Sequence, residues 1–142
     1  METIAAGALR SFVETAKIDH LVFKLEIYKV FMGLSDKGPD DFASHTHCRL
    51  GRWYYEGDGQ RCFAGLRGFR ELEPPHTAVH RHGQEAVRLC RSGDMEHALP
   101  ALAAMEKASM DVIRHLESLA AAGAADSQQL CAKALLLDGH GH

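Results

Sequence analysis

The sequence predicts an all-α fold, a four-helix bundle with a short extra helix that carries a cysteine. Two observations lead to this prediction: apolar residues recur at steps of three and four over long stretches, and no strand-length stretch alternates apolar with polar residues. A chain of 142 residues suits one domain that buries about two-thirds of its unfolded surface. We expect residues 1–123 to form the bundle and residues 124–142 to form a partly disordered tail.

The first predicted helix runs from Glu2 to Leu34, a stretch without proline. One seam of residues on it follows alternating steps of four and three, the pattern of helices that pack against each other. These residues are Leu9, Val13, Ala16, His20, Phe23, Ile27, Val30 and Leu34. His20 is therefore expected to lie on the buried side of this helix.

The short second helix is predicted within residues 42–57, where an apolar cluster of Leu50, Trp53 and Tyr54 would anchor it to the bundle. Gly51 is expected to be required by the backbone beside the bulky Trp53. Residues 60–75 are predicted to be an irregular or short helical connection.

The third predicted helix runs from about His76 to Arg91, with Pro75 in its first turn, where a missing N–H costs little. Gly93 is expected to end this helix, and Asp94 to cap the next one. The predicted seam comprises His76, Val79, His80, Gly83, Val87 and Cys90.

The fourth predicted helix covers about residues 95–121, with a kink or a delayed start at Pro100. Its expected buried stripe comprises Met95, Leu99, Leu102, Met105, Ser109, Val112, Leu116 and Leu119.

Composition excludes several classes of function. The net charge is −3, from 16 basic and 19 acidic residues, and no basic run supports nucleic-acid binding. No apolar run approaches the roughly 20 residues of a membrane span, and no signal-peptide pattern opens the chain. The four cysteines have no pairing rhythm, so we expect reduced thiols and a cytoplasmic location. Besides Cys48, these are Cys62, Cys90 and Cys131, which we interpret as small apolar fillers or free thiols.

The chain contains ten histidines, and two of them have the spacing of metal ligands. His76 and His80 lie four residues apart and would share one helix face. About 0.7 such pairs are expected by chance at this composition, so surface or hydrogen-bonded histidines are an alternative interpretation.

His20 and Cys48 extend this pair to a tetrahedral set. A lone buried histidine is usually a hydrogen-bonded core residue, but three histidines on facing seams would all need partners, and a shared cation supplies them. Cys48 is the natural fourth donor, and three imidazoles with one thiolate suit zinc. We interpret the competing His45 and His47 as residues that surround the site or lie on the surface.

The segment Cys48-Arg49-Leu50-Gly51-Arg52-Trp53-Tyr54, with His20-x-x-x-Lys24 before it and Pro75-His76-x-x-x-His80 after it, resembles the chemoreceptor zinc-binding domain family. The resemblance implies zinc ligands at His20, Cys48, His76 and His80. It also implies a bacterial cytoplasmic sensory module that forms homodimers and is fused to or associated with an output domain, a chemoreceptor or a diguanylate cyclase.

The expected function is zinc-dependent regulation of signal transduction, with zinc or oxidants such as hypochlorous acid as the signal, and without catalysis. A complete protein ligand set leaves no open metal position for hydrolysis. One alternative is a structural dimerisation bundle that zinc only stabilises. Another is a di-iron bundle similar to hemerythrin. The Glu73-x-x-His76 spacing imitates a di-iron motif, but we expect Pro74 and Pro75 to interrupt the helix there.

Overall fold

The computed structural model describes residues 4–126, which form helices joined by short connections. The four α-helices are α1 (Ile4–Phe31), α2 (Arg49–Tyr55), α3 (Phe69–Arg91) and α4 (Met95–Asp126). A 3₁₀ turn (Pro39–Asp41) and a π-helical turn (Gly59–Phe63) lie in the connections. The described residues contain no strand, so the all-α prediction is confirmed, and α2 is the short extra helix. Most of the predicted tail, residues 127–142, lies outside the described residues.

The core lies between the three long helices, and each contributes fully buried side chains. A short turn joins α3 to α4, which pack along each other, and α1 lies against both. None of the helices within residues 4–126 has the length and apolar character needed to cross a lipid bilayer. The largest fully buried side chains are Leu9, Val13, Ile27, Leu72, Val79, Val87, Met105, Val112, Leu116 and Leu119.

Two glycines with positive φ end α1 and α3 in the same way. Gly33 has φ +75° and Gly93 has φ +82°. In each case the next residue donates its N–H back into the helix, from Leu34 to the Lys29 carbonyl at 2.8 Å and from Asp94 to the Leu89 carbonyl at 2.9 Å. The predicted stop at Gly93 is confirmed. The predicted seam of α1 is buried or half-buried except for Leu34, which lies beyond the helix and is 68 % exposed.

The predicted start of the third helix was wrong, because α3 begins at Phe69 and runs through Pro74 and Pro75. Phe69 and Leu72 are both buried, and the Tyr54 ring stacks on Phe69 with centroids 4.1 Å apart. This apolar contact favours a helix that starts before the prolines. Each proline removes one N–H bond to the carbonyl four residues earlier, on Arg70 or Glu71. Both of those residues are exposed, so water can bond their carbonyls.

The start of α4 also differs from the prediction. Asp94 caps the helix as predicted, since its side chain accepts the His97 N–H at 3.2 Å. Pro100 lies inside a helix that already begins at Met95, so it does not delay the start. Met95 and Leu99 are exposed, whereas Ala98 is fully buried. Counted back from Met105, a step of three leads to Leu102, and the following step of four leads to Ala98 rather than to Leu99.

Candidate metal centre

Three of the four predicted ligands form one cluster between α3 and the segment before α2. The ligand atoms of Cys48, His76 and His80 all lie within 4.8 Å of one another. Cys48 is half-buried, and both histidines are buried. Among the described residues, this is the only group of three His, Cys, Asp or Glu side chains whose ligand atoms lie close enough together to hold a metal ion.

The two histidines of α3 face the same point because they are one helical turn apart. Their ring centroids are 4.9 Å apart. His80 Nδ1 lies 2.8 Å from the Ala43 carbonyl oxygen, which fixes the proton on Nδ1 and leaves the Nε2 lone pair for a ligand. His76 Nε2 already points at the cysteine, 3.3 Å from Cys48 Sγ.

Cys48 reaches the cluster from the N-cap position of α2, where the Gly51 N–H donates to its sulfur at 3.3 Å. The Cys48 thiol donates in turn to the His45 carbonyl at 3.7 Å. Gly51 is required for this arrangement, since a Cβ there would lie 1.9 Å from the His45 carbonyl oxygen. The predicted backbone requirement for glycine at this position is confirmed; the crowding comes from the backbone before Cys48, and the Trp53 ring packs on Gly59.

Two further bonds tie the segment before Cys48 to α3. Gln84 Nε2 donates to the Phe42 carbonyl at 2.9 Å, one residue before the carbonyl that His80 contacts. The Phe42 side chain is buried, with its ring 5.8 Å from that of Phe23. The backbone that leads to Cys48 is thus held by α3 and by the core.

Burial keeps the histidines of the site neutral. It lowers the pKa of His76 to about 3 and the pKa of His80 to about 4, so the lone pairs are available at neutral pH. Burial also raises the pKa of the Cys48 thiol, although the Gly51 N–H opposes this shift. A divalent cation would reverse the effect on the thiol, because a coordinated sulfur is deprotonated.

His20, the fourth predicted ligand, lies beside the cluster but outside it. It is buried on α1, and its Nε2 is 2.6 Å from Ser109 Oγ on α4. Burial, with smaller contributions from the nearby Lys24 and His80, lowers the pKa of His20 to about 4. His20 also lines the same cavity, of about 340 Å³, as the other three predicted ligands.

A polar network on α1 and α4 continues from His20. Lys24 donates to Ser109 Oγ at 3.1 Å and pairs with Glu106 at 2.8 Å. Tyr28 donates to the other carboxylate oxygen of Glu106. Ser109 was predicted only as a member of the buried stripe of α4. Because a buried hydroxyl needs a hydrogen-bonding partner, its place in that stripe was the signal that such a partner exists. Its contact with His20 spans 89 residues of sequence and could not be derived from spacing.

Of the remaining residues named in the sequence analysis, Trp53 and Cys62 have packing roles. The Trp53 ring stacks on Phe12 with centroids 4.3 Å apart. Cys62 is buried in the core and Cys90 is half-buried, while Cys131 lies outside the described residues. Glu73 lies on a continuous α3 despite the prolines, but it is exposed and accepts a hydrogen bond from Tyr55 at 2.7 Å. The Glu73-x-x-His76 spacing therefore does not direct this carboxylate to the cluster.

The donor set fits a zinc ion. Tetrahedral coordination with Zn–S of about 2.3 Å and Zn–N of about 2.0–2.1 Å places sulfur and nitrogen roughly 3.5 Å apart. The observed 3.3 Å between Cys48 Sγ and His76 Nε2 is close to that separation. Imidazole and thiolate ligands also favour zinc over magnesium or calcium, which take oxygen ligands.

Fold and site together define a helical domain with a Cys/His/His cluster that could hold a metal ion. Residues 20–87 match the family model of the chemoreceptor zinc-binding domain, and the resemblance carried by the sequence motif is thereby confirmed over this segment. The matched segment starts at the predicted ligand His20 and includes Cys48, His76 and His80. Neither a curated protein nor a solved structure matches the chain.

Proposed function

We propose that this chain is a zinc-dependent regulatory domain of bacterial signal transduction that binds the metal through His20, Cys48, His76 and His80. The observation that carries the proposal is the buried cluster of one thiol and two imidazoles within 4.8 Å. A bound zinc ion would supply a cross-link among these side chains. All four donors come from the protein, so the domain regulates an output and does not itself catalyse a reaction.

The ligands connect elements that pack differently with and without the cross-link. His76 and His80 are fixed to α3, Cys48 to the start of α2 and His20 to α1. When His20 turns from Ser109 toward the cluster, it leaves the polar network that joins α1 to α4. Binding at the site thus changes how α1 packs on α4, which is a helix shift of the kind that signalling proteins transmit.

A homodimer is the proposed route for transmitting this shift. An apolar face of α1 is exposed, although such side chains are usually buried. The face consists of four side chains of α1 and of Met32 directly after its end; these are Ile18, Leu21, Val22, Leu25 and Met32, exposed by 61, 58, 52, 53 and 58 %. Leu21 is adjacent to His20, so a movement of His20 reaches this face directly. The output is a fused or associated chemoreceptor or diguanylate cyclase in the cytoplasm, as the family resemblance suggests.

Oxidants form a second proposed input, through Cys48. This sulfur is half-buried and lines the 340 Å³ cavity, so a small oxidant can reach it. Hypochlorous acid transfers its OH to the Cys48 thiolate, which becomes a sulfenic acid, and chloride leaves with the electron pair. The oxidised sulfur is a poor ligand and frees the start of α2. A Cys48→Ser variant should lose this response, whereas Cys90→Ser should keep it; a response that survives Cys48→Ser contradicts this input.

Metal analysis of the purified chain tests the metal site. We expect one zinc per chain, with loss of binding in His76→Ala and weakened binding in His20→Ala. His97→Ala is the matched control, because His97 is exposed and bonded only to Asp94 nearby. Two irons per chain would instead support the di-iron alternative, and wild-type protein without any bound zinc would refute the proposal.

Sedimentation measurements test the dimer. Leu25→Lys places a charge on the exposed face of α1 and should weaken self-association by about tenfold or more. Met110→Lys is the control, since Met110 is 73 % exposed on α4. If removal of zinc lowers the melting temperature but leaves both self-association and output unchanged, the metal is only structural.

A further inference from the structure

We propose that His45 is a reserve ligand of this site, which binds the metal in place of Cys48 when the Cys48 sulfur no longer does so. The inference rests on the proposed zinc function. It adds that loss of the sulfur exchanges one ligand for another and leaves the metal in place.

The side chain of His45 already lies at the edge of the cluster. Its ring centroid is 6.0 Å from that of His76, and the two ring planes are nearly perpendicular. On its other side, the His45 ring lies 6.0 Å from the Tyr55 ring. His45 is half-buried.

Contacts other than the one from the Cys48 thiol also hold the backbone that carries His45. Its carbonyl packs on Gly51, where there is no room even for a Cβ. Two residues earlier, the Ala43 carbonyl accepts from His80, and the Phe42 carbonyl accepts from Gln84. When the sulfur leaves the metal, these contacts remain and keep the His45 backbone beside the cluster.

His47 provides a matched comparison within the same loop. It is exposed, and its Nδ1 lies 2.7 Å from Ser44 Oγ and 3.2 Å from Thr46 Oγ1. These local hydrogen bonds hold its ring beside its own loop. His47 is closer to Cys48 in sequence, so nearness in the chain alone would favour it over His45.

Zinc titration of the full chain against a chromophoric chelator tests the proposal. We expect Cys48→Ala to keep one zinc per chain with an affinity reduced by about 10- to 100-fold. Adding His45→Ala to this variant should reduce the affinity by about another tenfold or more, whereas adding His47→Ala should change nothing. In the wild-type background, His45→Ala should lower the affinity much less than it does in Cys48→Ala.

Ring ¹⁵N spectra of the single variant give a readout that does not depend on the stability of a double variant. In Cys48→Ala, zinc should shift the ring nitrogens of His45, and in the wild type it should not. Two results would overturn the proposal: Cys48→Ala that binds no zinc, or His45 spectra that zinc leaves unchanged. Failure of the wild type to bind zinc would refute the proposed function itself, which keeps the two failures distinguishable.

Discussion

Replacing Gly51 with alanine should damage both the fold and the metal centre. The new Cβ would lie 1.9 Å from the His45 carbonyl oxygen and 2.8 and 2.9 Å from the carbonyl carbons of His45 and Thr46. All three atoms belong to the backbone, so no flexible side chain can turn away. Ordinary contact begins near 3.4 Å, so the segment must move by about 3.4 − 1.9 = 1.5 Å.

The magnitude follows from the two things that this movement disturbs. Overpacking of this kind typically costs about 1–3 kcal/mol of unfolding free energy. The displaced segment also carries Cys48, and metal ligands tolerate shifts of only about 0.2 Å. We therefore expect the zinc affinity to fall by at least about 10- to 100-fold.

Urea unfolding of the metal-free chain and chelator competition measure the two effects separately. Gly65→Ala is the matched control, because Gly65 is exposed and a Cβ there would meet nothing within 4 Å. If Gly51→Ala matched Gly65→Ala in stability and in zinc affinity, the packing argument for Gly51 would be wrong.

Two other perturbations have a predictable direction. Burial lowers the pKa of His20 and His80 to about 4 and that of His76 to about 3, against about 6.5 when unfolded. As the pH falls from 6.5 toward 4, the unfolded chain binds protons that the folded chain does not, so the metal-free protein loses stability. We expect its free energy of unfolding to fall by about 3–4 kcal/mol between pH 7.5 and 5.5. Urea midpoints at both pH values measure this loss. Leu72 is fully buried, so Leu72→Ala should lower the free energy of unfolding by about 2–5 kcal/mol. Leu99 is 54 % exposed, so the control Leu99→Ala should lower it by less than about 0.5 kcal/mol. The same urea denaturation measures both losses.

The outcomes that contradict these expectations are equally definite. Stability that is unchanged or higher at pH 5.5 would show that the site histidines are protonated in the fold. Equal losses in the two leucine variants would place the core elsewhere than between α3 and its neighbours.

Several parts of the fold follow from local pattern and were predicted from it. The seam of α1 and that of α3 repeat at helical spacing, and such a repeat has one low-energy solution, a helix with that face buried. The shared face of His76 and His80 follows from the same periodicity. The start of α3 was missed because the prolines were given more weight than the apolar contact of Phe69 with Tyr54. That contact joins two separate segments, so no reading of the proline positions alone reveals it.

The sequence by itself determined the helical class, the pair of histidines on α3 and the motif that contains Cys48, because each depends on spacing within one segment. Tertiary structure alone decided that Ser109 bonds His20 and that the His45 carbonyl occupies the space left by Gly51. The physical reason is that these contacts join groups whose separation depends on how whole helices and loops pack. Helical periodicity fixes which face a residue occupies, and only packing fixes which atom it finds there.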